Sequence, residues 1–193
     1  IARLQAFGSV FFTGGDQSRI VGTLVQDGVE TPALSAIRTL YRDGGLIAGS
    51  SAGAAIMSGP MIRGGTSLNA VSRGLAEPDD DDYDAFHLGR GLGFFRWGLV
   101  DQHFLQRGRI GRLFAAAQLL GEPLAFGIDE NSALLVQGNR GVVVGETGVL
   151  LLDLRRADFD EESYLLRNAR VSYLDDGDAV DLATGKAIPA VDK

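Results

Sequence analysis

The chain has 193 residues, 45% hydrophobic composition and no cysteine, so it fits one globular domain that buries roughly 70% of its unfolded surface without disulfide staples. The missing thiols exclude a thiolate nucleophile, a cysteine zinc site and a redox role. A formal net charge of -7 argues against a phosphate-backbone partner, which needs a basic face, and is compatible with a cationic substrate. No apolar run approaches the ~20 residues of a membrane span, and no signal-peptide pattern follows Ile1. A cytoplasmic location with no nucleic-acid or membrane partner is expected, or a secreted form if a leader precedes residue 1.

In chain order, Ile1 to Phe7 reads as the end of a helix and Val10-Phe11-Phe12 as a buried strand that breaks at Gly14-Gly15. Asp16-Gln17-Ser18 then caps a helix running to about Gln26. Thr31-Pro32 opens a second helix on which Leu34, Ile37, Leu40 and Tyr41 recur at helical spacing. Leu46-Ile47-Ala48 is a short strand that runs into Gly49-Ser50-Ser51-Ala52-Gly53-Ala54 and a helix to about Met57. This Gly-x-Ser-x-Gly pattern is that of a nucleophile elbow, where a serine is held in a strained turn and small neighbours let strand and helix approach. Ser51 is the candidate nucleophile, and the N–H of Ala52 faces a developing oxyanion. The bland alternative is a small-residue turn between a strand and a helix.

Residues 59 to 93 are the least regular part, with Gly64-Gly65, a solvated acidic run from Glu77 to Asp84, and His87 as a bystander. Trp97 to Val100 reads as a buried strand that delivers Asp101-Gln102-His103-Phe104 at its end. A helix from about Gly108 to Leu120 follows, introduced by Arg107, Arg109 and Arg112. These arginines form either a solvated helix face or guanidinium forks for a carboxylate. Leu124 to Ile128 is a further strand, ending in Asp129-Glu130-Asn131. Beyond it, Ala133 to Val136, Val142 to Val144 and Val149 to Leu152 read as an antiparallel meander. Residues 155 to 163 read as a loop, and Ala169 to Leu174 and Asp178 to Leu182 as closing strands.

Three polar clusters thus fall at three successive strand ends: Ser51, His103 and Asp129-Glu130. A serine hydroxyl becomes a nucleophile when an imidazole takes its proton, and the imidazole needs an acid to fix its tautomer. On chemistry alone the acid is Asp101, Asp129 or Glu130. The order Ser, His, acid differs from the Ser, acid, His order of α/β-hydrolases and disfavours a lipase or esterase of that fold. Two histidines without paired ligand spacing make a poor metal site, so no metal or cofactor is expected.

Four motifs together resemble the cyanophycinase-like serine peptidases of peptidase family S51, which include aspartyl dipeptidases. They are Thr13-Gly14-Gly15-Asp16-Gln17, the Ser51 elbow, Asp101-Gln102-His103-Phe104 with its arginine series, and Gly127-Ile128-Asp129-Glu130. The resemblance implies an α/β fold like that of class I glutamine amidotransferases: a mostly parallel sheet with helices on both faces, here with a C-terminal antiparallel meander. It implies Ser51 as nucleophile, His103 as base, Glu130 as acid, and Gly15 with Ala52 at the oxyanion hole. Gln17, Asp101, Gln102, Arg107, Arg109 and Arg112 would line the substrate pocket. The implied activity is hydrolysis of cyanophycin-type β-aspartyl-arginine material through an acyl-enzyme, releasing β-Asp-Arg dipeptides, by a homodimer. The rivals are an aspartyl or isoaspartyl dipeptidase and a non-catalytic amidotransferase-like binding domain. The sequence departs from the family in carrying Ser50 where threonine is expected and in having few residues before the Gly-Gly-Asp-Gln strand. Residues 1–193 are therefore expected to be a single α/β domain lacking its first strand and helix units.

Overall fold

A computed structural model describes residues 7–82, 84–160 and 165–191. The helix expected up to Phe7 falls outside them, apart from Phe7 itself, which is irregular. Strand β1 (Ser9–Phe12) leads through the Gly14-Gly15 turn into helix α1 (Gln17–Leu24). The Asp16 carboxylate accepts the N–H groups of Ser18 and Arg19, satisfying two first-turn amides. The helix stops short of Gln26 because β2 (Val25–Gln26) turns back to pair with β3 (Val29–Glu30). Helix α2 (Pro32–Arg42) starts at the cap Thr31, whose Oγ1 accepts the Leu34 N–H, and buries Leu34, Ala36 and Ile37. Strand β4 (Leu46–Gly49) then pairs in parallel with β1, and helix α3 (Ala52–Ala55) follows. Leu34, Ile37, Ala55 and Ile56 pack with Val10, Phe12 and Ile47 into one core cluster under this pair of strands.

The stretch expected to be irregular is more ordered than its local pattern. Strand β5 (Pro60–Gly64) and strand β6 (His87–Arg90) pair antiparallel around helix α4 (Ser67–Ser72). His87, expected among flexible neighbours, is half-buried in β6. More than twenty residues separate the paired strands, so neither period-two alternation nor a tight turn marks them.

The rest of the described chain builds two four-stranded sheets and a separate two-stranded one. Strand β7 (Leu99–Gln102), a 3₁₀ turn (Leu105–Arg107) and helix α5 (Ile110–Leu119) precede strands β8 (Leu124–Ile128), β9 (Ser132–Gln137), β10 (Arg140–Gly145) and β11 (Val149–Asp153). Strands β12 (Asp158–Asp160), β13 (Leu165–Arg167), β14 (Arg170–Leu174), β15 (Ala179–Asp181) and β16 (Lys186–Ile188) complete the described elements. The sheet orders are β14-β11-β8-β7 and β16-β15-β10-β9.

All five residues of β11 are buried, so both of its faces need cover. Leu150 and Leu152 meet Leu113, Ala116 and Ala117 of α5 on one side. Val149 and Leu151 meet Val143 and Val180 of the second sheet, with Leu182 just past it, on the other.

The observed architecture differs from four expectations. Parallel pairing among the described strands is confined to β1 with β4 and β7 with β8, so the sheets are small and mixed. The β7–β14 sheet carries helices on one face and a second sheet on the other. The meander is interrupted: β9 and β10 form a hairpin, but β11 leaves to pair with β8 and β14. The segment expected as a loop from residue 155 contains β12, while residues 161–163 lie outside the described range.

Candidate active site

The site starts at the bend between β4 and α3. Ser51 has φ 55° and ψ -117°, a backbone conformation rarely adopted by a non-glycine residue. Such a conformation costs on the order of 1–3 kcal/mol and persists only where its surroundings over-determine it. Here those surroundings are steric. A β-carbon on Gly53 would overlap the Phe12 carbonyl, and one on Gly49 would overlap the Gly53 carbonyl. The Ser50 N–H donates to the Phe12 carbonyl at 3.0 Å, tying the bend to the end of β1. A β-carbon on Gly14 would lie 3.2 Å from Ser51 Cβ, so the Gly14-Gly15 turn rests against the serine side chain. Ala52 opens α3, and its N–H has no intrahelical acceptor at that position.

His103 stands just past the end of β7, at φ 46°. Its Nε2 lies 2.8 Å from Ser51 Oγ and its Nδ1 lies 2.7 Å from Glu130 Oε1. A carboxylate only accepts, so this contact places the ring proton on Nδ1 and leaves Nε2 to accept the serine hydroxyl. The parallel register of β7 and β8 brings the two side chains together, because Gln102 pairs with Ile128 and the next residues of both strands emerge at one end of the sheet. A hydroxyl, an imidazole and a carboxylate in this line can pass a proton from oxygen to nitrogen.

The three candidate acids separate clearly. Glu130 reaches the imidazole, whereas Asp129 is buried and accepts the Leu105 N–H at 2.8 Å and the Tyr173 hydroxyl at 3.0 Å. Asp101 is 1% exposed and takes Arg112 Nε and Nη2 at 2.8 and 2.6 Å. Arg112 is itself buried and also donates to the Gly65 carbonyl. Asp101 and Arg112, expected on the substrate, form a buried bidentate ion pair joining α5 to β7 and to the end of β5. Their burial is satisfied on both partners, which is what makes it tolerable.

Of the remaining residues expected on the substrate, Gln17, Gln102 and Arg109 are engaged with the protein. Gln17 Nε2 donates to the carbonyls of Ile62 and Arg63 at 3.1 and 2.6 Å, fastening α1 to β5. Gln102 is buried, and its carbonyl and side-chain oxygens both accept from Arg109 Nη1, at 2.6 and 2.9 Å. Arg107 is exposed, one turn beyond His103.

Sequence reasoning missed Gln106, Thr147 and Tyr173. Gln106 Oε1 accepts the Glu130 N–H at 3.2 Å, and the Thr147 hydroxyl donates to the Glu130 carbonyl. Thr147 and Tyr173 lie in segments whose local pattern reads only as a turn and a strand. Among the described residues no group of three His, Asp or Glu side chains is placed to hold a metal ion. Nor is any described helix long and apolar enough to cross a membrane.

The family model of Peptidase family S51 matches residues 2–144. The chain belongs to this family. Relatives of this S51 chain include the cyanophycinase of Trichormus variabilis, 34% identical over 98% of this chain and 62% of its own length. The cyanophycinase of Thermosynechococcus vestitus is 32% identical over 95% of this chain and 56% of its own. That of Geminocystis herdmanii is 31% identical over 95% and 65%. The chain thus spans about three fifths of the length of the curated relatives it matches. A crystal structure of a peptidase from an acI-B1 actinobacterium shares the fold, with a TM-score of 0.60 at 21% identity, covering 93% of this chain and 62% of that one. The S51 match stops before β11 and β14, although both strands belong to the same sheet as β7 and β8.

Proposed function

We propose that this S51 chain carries the active site of a serine peptidase that degrades cyanophycin-type polymer, with Ser51 as nucleophile, His103 as general base and Glu130 as its orienting acid. The observation that carries the reading is the unbroken line from Ser51 Oγ through His103 to Glu130, at 2.8 and 2.7 Å. The cyanophycinase relatives support the substrate class. The paired parallel strands β1–β4 and β7–β8, with the motifs at their carboxyl ends, support an amidotransferase-like core. A homodimer is the expected assembly.

In the proposed reaction His103 Nε2 takes the Ser51 proton as Oγ attacks a backbone carbonyl of the poly-aspartate chain. The N–H groups of Gly15 and Ala52 hold the oxyanion. The imidazolium then gives its proton to the departing amine, leaving an acyl-serine. Water enters, loses a proton to His103, and releases the carboxylate. The released unit keeps its β-Asp-Arg isopeptide link, so the bond that breaks is the backbone amide between successive aspartyl units.

Incubation with cyanophycin and mass spectrometry of the products tests this directly. β-Asp-Arg should appear, and Ser51→Ala should lower its rate by at least about 10²–10³. Cleavage of short Asp-X or β-Asp-X peptides without attack on the polymer would instead assign a dipeptidase.

A further inference from the structure

Glu130 and His103 lie on two different loops, and the carboxyl group of Glu130 is about half exposed. An exposed side chain on a loop has many rotamers, so a 2.7 Å contact needs its backbone held. The structure shows what holds it. The two loops exchange hydrogen bonds: Gln106, three residues past His103, accepts the Glu130 N–H, and Asp129, one residue before Glu130, accepts the Leu105 N–H. The Asp129 N–H donates to the Gly148 carbonyl, and Thr147 donates to the Glu130 carbonyl. Asp129 is the node of this lattice, and it is 5% exposed.

One carboxylate oxygen of Asp129 serves the His103 loop; the other accepts from Tyr173, which comes from β14 on the far side of β11. Gly148 makes room for this contact, since a β-carbon there would come 2.8 Å from the Tyr173 ring. Burial first, and the neighbouring Asp129 second, raise the Tyr173 phenol above its ordinary pKa, so it stays a donor to that carboxylate.

We propose that Tyr173, acting through Asp129, is a positioning residue that sets the separation of His103 and Glu130. It touches neither reacting atom and lies outside the residues matched by the family model. Without its hydroxyl the Asp129 carboxylate loses one of its two fixed oxygens, turns about the remaining bond to Leu105, and lets the two loops drift. The expected loss of activity rests on the peptidase reading above; the His103–Glu130 contact itself does not.

Tyr173→Phe in the full chain tests it with two readouts. The first is the Nδ1 proton of His103, followed by NMR on ¹⁵N-histidine protein; the chain has two histidines, and His87→Gln assigns them. A shift of this hydrogen-bonded proton toward the free-imidazole position is expected. The second is steady-state kinetics: kcat should fall roughly tenfold to hundredfold with KM little changed, since a displacement of about 1 Å costs up to that much. Asp129→Asn should move both readouts in the same direction. An unmoved Nδ1 proton in Tyr173→Phe would overturn the proposal, even if Tm falls, because Tyr173 would then be only a packed side chain. If the protein shows no peptidase activity, the NMR readout still decides the positioning role while the functional reading fails alone.

Discussion

Glu130 is the residue on which the proposed proton path turns, and it differs from its neighbour Asp129 in what it touches rather than in chemistry. Asp129 spends both oxygens on Leu105 and Tyr173, whereas Glu130 Oε1 faces His103 Nδ1. Glu130→Gln keeps the shape but lets the amide present a donor to Nδ1, which favours the wrong tautomer. It should lower kcat by on the order of 10²–10⁴ with little change in KM; a rate within about twofold of wild type would remove Glu130 from the mechanism. At this scale Ser51 and His103 were legible as polar residues just beyond short apolar runs, whereas local chemistry left Asp101, Asp129 and Glu130 open as the acid and only the family resemblance singled out Glu130, the one of the three that bonds His103. The surroundings were not legible. Asp101, Arg112, Gln17 and Gln102 read as substrate contacts; in the structure Asp101 pairs with Arg112, Gln17 donates to the backbone of β5 and Gln102 accepts from Arg109. No spacing rule separates an arginine that binds a ligand from one buried against its own helix's neighbour.

At the scale of elements, the elbow works because β4, α3 and the end of β1 approach more closely than any side chain allows. Gly53→Ala would force a methyl group into the Phe12 carbonyl and push β1 away from α3. The expected cost is about 1–3 kcal/mol, read as a fall in Tm of ~2–4 °C per kcal/mol. Ser51 would be displaced with it, so activity should fall further than stability. Gly53→Ala with wild-type Tm would show that the close contact is not needed. The helices were readable from their caps: Asp16 and Thr31 bond the amides expected of them. Strand pairing was less so. The pairing of β5 with β6 and the departure of β11 from its hairpin neighbours depend on partners distant in sequence. Asp101 and Gln102 lie inside β7 rather than beyond it, because the β8 backbone extends the ladder to them.

For the molecule as a whole, a chain of net charge -7 places some of its arginines where they hold the sheet's other end. Asp153, at the end of β11 remote from His103, is almost fully buried and takes the Arg155 guanidinium at 2.8 and 2.6 Å. The hydrogen bonds from Arg155 hold the Asp153 carboxyl below its ordinary pKa, against the opposing effect of burial. Because the folded value lies below the unfolded one, near 3.9, the stability contributed is complete above that value. It is lost as pH falls through the folded pKa. Asp153→Asn should cost about 1–3 kcal/mol at neutral pH and flatten the loss of Tm on acidification below about pH 4. Parallel Tm-against-pH curves for the two proteins would show that Asp153 is not one of the groups responsible for acid unfolding.

The central claim is that Ser51 Oγ is a nucleophile activated by His103. A fluorophosphonate attaches only to an activated serine, so intact-mass and peptide mass spectrometry after labelling measure it without any choice of substrate. The account predicts one phosphonyl group per chain, located on the peptide containing Ser51, absent in Ser51→Ala and strongly slowed in His103→Ala. An unmodified Ser51 in folded protein would contradict it and leave a binding domain in place of an enzyme.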